Sequence, residues 1–165
     1  MEKVYFPLSY LDVGEKSNEI RLDLKSPGYK ENIYAPFDGI IRKVYKIGGN
    51  YVWLESSTKV LWADGSVDYM VLFTGGDDNV ESLYVGKQIS KGMSYYTQGK
   101  GDNSLENHVV LEVGKGQFHG NGWEKREDGE WHIYDAVDPC KAFILGNKVQ
   151  IKKESPYSFI REDCK

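Results

Sequence analysis

Asn107-His108-Val109-Val110-Leu111-Glu112-Val113 decides the fold. It is the most strand-like segment of the second half of the chain, rich in β-branched and apolar residues, and it follows a polar loop from Gln98 to Asn107. The same signal recurs outward from it. Glu19 to Leu24 alternates polar and apolar residues, the period of a half-buried strand. Ile40 to Tyr45 and Tyr51 to Glu55 read as strands joined by the Gly48-Gly49-Asn50 turn. Val60 to Trp62 and Val67 to Phe73 flank Ala63-Asp64-Gly65-Ser66, and Asp-Gly is a favoured hairpin pair. Helix signals are scarce. Asp138 can cap, Pro139 fits the first helical position and Gly146 terminates, which predicts a helix of about two turns over 138–145. The segment Lys148-Val149-Gln150-Ile151 adds one more strand. The expected class is mostly β, an antiparallel sheet core with the His108–Val113 strand central and one short C-terminal helix. Residues 1–146 form the β domain, and 147–165 form a C-terminal strand and tail.

A chain of 165 residues is one domain's worth, long enough to bury a core without metal or disulfide staples. Hydrophobic residues at 40% and charged residues at 28% are ordinary for a globular protein, and 18 Gly with only 5 Pro suits short strands joined by turns. A net charge of −4 argues against general nucleic-acid binding, which usually shows a basic excess. No stretch is apolar enough for a membrane-spanning helix. Met1 to Pro7 shows no basic region followed by an apolar one, so no signal peptide and a cytoplasmic location are expected. Cys140 and Cys164 are accordingly expected as free thiols. The sequence contains no GxSxG, CxxC or Walker A pattern. Asp77-Asp78 lacks EF-hand spacing and reads as a solvated turn.

Four segments, in order, resemble the lysostaphin-like M23 metallopeptidases, zinc endopeptidases that cut peptidoglycan cross-bridges, in the style of phage lysins. Tyr34-Ala35-Pro36-Phe37-Asp38-Gly39-Ile40-Ile41 is similar to that family's turn and strand of the type vyAPfdGtV. Tyr84-Val85-Gly86-Lys87-Gln88-Ile89-Ser90-Lys91-Gly92 is similar to its vkvGqkVkkGq hairpin. The strand from Asn107 to Val113 is similar to its gpHlHfEv strand, and Val137-Asp138-Pro139 matches its closing vDP. The resemblance covers roughly residues 5–145 and implies the fold of that family.

It also implies a zinc site, and there the sequence departs from the pattern. The family holds zinc through a His and an Asp spaced i, i+4 and through the second His of HxH. Asp23 matches the Asp, but Glu19 stands where the His belongs. His108 matches the first His of HxH, but Val110 stands at the second. Residues i and i+2 of a strand share a face, so Val110 aims an isopropyl group where an imidazole should meet the metal. A further catalytic His is expected after the strand ending at Phe73, where this chain reads Gly75-Gly76-Asp77. His119 and His132 read as surface or loop residues.

The resemblance therefore points to a pseudoenzyme with no metal or other cofactor, which binds a small ligand in its former active-site groove. The candidate groove residues are Glu19, Asp23, Gly75, Gly76, His108 and Val110. Lys100 and Lys115, in Gly-Lys-Gly turns, would stand at the rim. Tyr95 and Tyr96, with Tyr69, Phe118 and Trp123, are candidate aromatic walls. Gly75 and Gly76 would open space and bare backbone N–H groups, which suits an anion. The first candidate role is a viral counter-defence protein that sequesters an anionic, nucleotide-type immune signal. The alternatives are a phage peptidoglycan-binding or lysis module, and a zinc endopeptidase with an altered site of Glu19, Asp23 and His108.

Overall fold

The computed structural model describes residues 1–8, 10–11, 13–14, 20–25, 31–46, 50–76, 80–99, 108–144, 150–151 and 158–159. In chain order the strands are β1 (Tyr10–Leu11), β2 (Val13–Gly14), β3 (Leu22–Lys25), β4 (Asn32–Tyr34), β5 (Gly39–Tyr45) and β6 (Tyr51–Ser56). They continue with β7 (Val60–Leu61), β8 (Val67–Asp68), β9 (Met70–Gly75), β10 (Gln88–Ile89), β11 (Ser94–Thr97) and β12 (His108–Lys115). Last come β13 (Trp123–Lys125), β14 (Trp131–Ile133), β15 (Ala136–Val137), the helix α1 (Pro139–Ala142), β16 (Gln150–Ile151) and β17 (Ser158–Phe159).

The main sheet is antiparallel throughout, in the order β10-β5-β6-β9-β12-β3-β2-β17, with β15 pairing the far end of β12. The strand that opened the sequence reading is central and runs two residues longer than expected. Small pairs β7–β8, β11–β4 and β13–β14 are antiparallel, and β1 pairs β16 in parallel.

Period-two alternation divides the sheet's side chains between two cores. On one face Leu22, Leu24, Ile41, Val52, Leu54, Met70, Leu72, Val109, Leu111 and Val113 enter the main core. On the other, Trp53, Val71 and Phe73 meet Ile133 in a second cluster, with Tyr45, Tyr51, Val110, Phe118 and Trp123 packed around it. Both faces of β6 and β9 are therefore buried, and their near-continuous apolar runs follow from that. The β13–β14 hairpin covers the second face. Trp53 Nε1 donates to the Gly122 carbonyl at 3.0 Å just before β13. Gly122 has φ 91°, and a Cβ there would come within 2.8 Å of Phe118 and 3.0 Å of Trp53 Nε1, so only glycine fits this approach.

Three sequence expectations need correction. The helix stops at Ala142, not Leu145. Asp138 caps it, accepting from Cys140 N at 2.9 Å, and Pro139 opens it. Phe143 then turns extended and buries its ring edge-on against Phe6, while Ile144 pairs its backbone with Val4 and Phe6. This tertiary pairing outcompetes a second helical turn. The expected strand over Val67–Phe73 is broken at Tyr69 into β8 and β9. Cys140 is disulfide-bonded, not a free thiol, and among the described residues no cysteine is free. The thiol expectation rested on cellular compartment, which says nothing of which side chains the fold brings together. Reduction is expected to lower the melting temperature, because such a cross-link is typically worth about 2–4 kcal/mol. Thermal melts with and without reductant check this, and superimposable curves would refute it.

Candidate functional site

Four neighbouring strands set the candidate residues in one row. Tyr51 on β6 pairs with Gly75 on β9, Gly75 pairs with Val110 on β12, and Val110 pairs with Asp23 on β3. Directly opposed residues share a face of the sheet, so Asp23 and Val110 stand side by side. His108 lies two residues before Val110 on that same face. Its backbone exchanges hydrogen bonds with Gly99 at 2.9 and 3.2 Å. Tyr51, Val110, Asp23 and His108 are all half-buried, whereas Trp53, Phe73 and Glu112, one row further in, are buried. The row thus forms the accessible rim of a packed face.

The row carries Asp23, which the M23 resemblance implies as a ligand, and Val110, where that resemblance implies another. A protein zinc site of this kind needs three ligands and an open position. Asp23 offers a carboxylate and His108 an imidazole, while Val110 offers only methyl groups packed against the aromatic cluster. Among the described residues no group of three His, Cys, Asp or Glu side chains is placed to hold a metal ion. These residues do not fit the family's zinc. Glu19 and Lys100 lie outside the described residues.

Several other candidates are placed elsewhere. Lys115 ends β12, seven residues from His108 and about 23 Å away at roughly 3.3 Å per residue. Its parity also puts it on the opposite face, where Nζ donates to Ser66 Oγ at 2.5 Å and lies 5.0 Å from the Trp62 ring centroid. It cannot neutralise a phosphate at this row. Tyr69 sits at that same distant end, its carbonyl accepting from Gly116 N at 2.9 Å. Tyr95 and Tyr96 are 6% and 2% exposed, so both are core residues and not open walls. Burial pushes the Tyr95 phenol upward from its ordinary range, and Tyr96 Oη donates to the Asn50 carbonyl. Phe118 and Trp123 do border the second cluster. Gly75 does not open space, because the Tyr51 ring fills it. Gly76 has φ 109°, and a Cβ there would lie 2.9 Å from the His108 carbonyl oxygen. A cavity of about 250 Å³ opens elsewhere, between the N-terminal segment, Pro36–Asp38 and Thr58–Leu61.

Beneath the row runs a charge network that sequence reasoning missed. Glu112 is fully buried. Its Oε2 accepts from Arg21 Nε at 2.6 Å and lies 2.7 Å from His132 Nδ1, and its Oε1 accepts from Ile133 N at 3.0 Å. His132 Nε2 lies 2.7 Å from Asp128 Oδ2. Arg21 also donates to the Trp131 carbonyl at 2.5 Å. The Asp128 carboxyl is held below its usual range, first by the N–H of Glu130 and then by His132. His132 is thus a buried residue and not a surface one, because carboxylates flank both of its ring nitrogens. A signal was present: Glu112 is a charge two residues after Val110 in a strand otherwise apolar from 109 to 113, and Arg21 stands two residues before Asp23. The expectation of an exposed residue does hold for His119, whose Nε2 lies 2.9 Å from Asp135. Beside the row, Lys43 Nζ lies 4.8 Å from the Trp53 ring centroid and 5.0 Å from that of Trp123, and burial lowers its pKa.

No protein-family model matches the chain, and no curated protein matches it. Among solved structures it is similar to a mutant of the catalytic domain of the prophage-encoded M23 protein EnpA from Enterococcus faecalis. That match has 16% identity and a TM-score of 0.48, over 70% of this chain and 88% of the other. It is also similar to LytU, with 15% identity and a TM-score of 0.49, over 85% of this chain and 83% of that one.

Proposed function

We propose that this protein is a catalytically inactive M23-like domain that binds a ligand along the Tyr51–Gly75–Val110–Asp23 row without cleaving it. One observation carries the reading. Val110 stands directly opposite Asp23 in the β12–β3 ladder, where the motif resemblance calls for a zinc-binding imidazole. A side chain without a lone pair cannot complete that site.

The chemistry of the row favours a peptidoglycan-type peptide over an anionic nucleotide signal. The cation assigned to the phosphate, Lys115, lies at the far end of β12 on the other face. The glycine expected to bare its N–H groups lies under an aromatic ring. The row itself presents Tyr51, Val110, His108 and a carboxylate, surfaces suited to an uncharged or amine-bearing chain. Isothermal titration with soluble muropeptides and with cyclic dinucleotides tests this on wild type and on His108→Ala. Muropeptide binding without hydrolysis, weakened about tenfold or more in the variant by loss of a side-chain hydrogen bond, is the expected result. Nucleotide binding alone would restore the counter-defence reading, and hydrolysis of the muropeptide would overturn inactivity.

A further inference from the structure

Gly75 is a glycine for reasons of space and not of backbone. Its φ is not among the positive ones, and it ends β9 at a position paired on both sides, with Tyr51 and with Val110. What it supplies is room. A Cβ on Gly75 would lie 2.5 Å from Tyr51 Cδ1 and 2.7 Å from Tyr51 Cε1. The ring has little freedom to swing aside. It is stacked on Phe73 at 5.6 Å with planes 13° apart, and it meets Trp123 at 6.0 Å and Tyr45 at 6.2 Å.

We propose that Tyr51 and Gly75 are an interlocked pair that seals this position of the row. Tyr51 then sets the shape of the ligand site by laying an aromatic ring where a side chain at 75 would project. The assignment of this row as a ligand site rests on the proposed function, but the interlock does not. It follows that the histidine that the M23 resemblance implies within Gly75-Gly76-Asp77 cannot be placed at 75 by one substitution. On the proposed function, the ring over Gly75 adds to the donor missing at Val110.

A double-mutant cycle on unfolding equilibria tests the interlock, using Gly75→His, Gly75→Ala, Tyr51→Ala and the two pairings. In the presence of Tyr51, each substitution at 75 is expected to reduce the folding constant by about tenfold to a hundredfold, the usual range for overpacking. With Tyr51→Ala, the same substitutions are expected to cost less than about threefold, a coupling typical of residues in contact. If Gly75→His yields no folded protein, Gly75→Ala completes the cycle. Tyr51→Phe, which keeps the ring, should leave the penalty at 75 unchanged. Equal penalties in both backgrounds, or none beside Tyr51, would overturn the proposal. Stoichiometric zinc on the wild-type chain would instead sink the proposed function and leave the cycle untouched.

Discussion

Protein purified without added metal is expected to carry no zinc, and a chelator should leave its melting temperature unchanged. The double substitution Glu19→His with Val110→His should gain zinc affinity by at least about a hundredfold, since even outer partners of a metal site are worth about 10–100-fold. The reason is register. Asp23 and Val110 are direct partners on adjacent strands and His108 is on the same face, so an imidazole at 110 would stand beside the carboxylate of Asp23. Val110→His alone should fall between the two. Elemental analysis and competition with a chromogenic chelator give the readings. Stoichiometric zinc on the unaltered chain, lost on changing Glu19, Asp23 or His108, would show an altered metallopeptidase in place of an inactive domain.

The second large effect is expected at Glu112. Its carboxylate receives Arg21, His132 and the Ile133 N–H at once with no exposure to solvent. Glu112→Ala strands these groups in a buried setting. Removing one partner of a buried ion pair typically costs about 3–5 kcal/mol. Glu112→Gln keeps the shape and an acceptor oxygen, so it should cost less. Urea denaturation of both variants decides. A loss under about 1 kcal/mol for Glu112→Ala would mean that solvent reaches the network and screens it. The Trp131 carbonyl and the Ile133 N–H belong to β14, so the same variant should loosen the hairpin over the second face, seen as a red shift in tryptophan emission.

Much of the architecture was legible because it rests on local signals. The strand residues at Ile40–Tyr45, the Asp64-Gly65 turn and the apolar run at His108–Val113 each describe a strand or a turn within its own few residues. Asp138 and Pro139 likewise announce the start of α1, but its end depends on Phe143 finding Phe6 and on Ile144 pairing with Val4, which no local pattern contains. The site divides in the same way. That Val110 stands where the resemblance implies a ligand could be read from the motif, and the structure gives Asp23 as its cross-strand partner. Lys115 was misplaced because the strand was expected to end at Val113; β12 runs on to Lys115, and parity then puts it on the other face from His108. Tyr51 over Gly75 could not be read at all, since it depends on which strand lies beside β9 and on the exact register between them. His132 was misread because a histidine near a turn is usually solvated. Its burial follows from two carboxylates that meet it from β12 and from the hairpin turn.

The pairing of Tyr5 with Ile144, and of Lys3 with Leu61, sets a condition on how the chain comes into being. Tyr5 waits for a partner that follows about 140 residues later in the chain. Until Ile144 is made, Val4 and Phe6, both core residues, have no complete seat. All of the main sheet but β17 can assemble before then, but its main core stays open along that side, and closing it is a contact of very long sequence separation. Such closures slow folding and leave apolar surface exposed meanwhile. Nascent chains halted short of residue 144 should therefore resist proteolysis poorly, and chains extended past it should become protected in a single step.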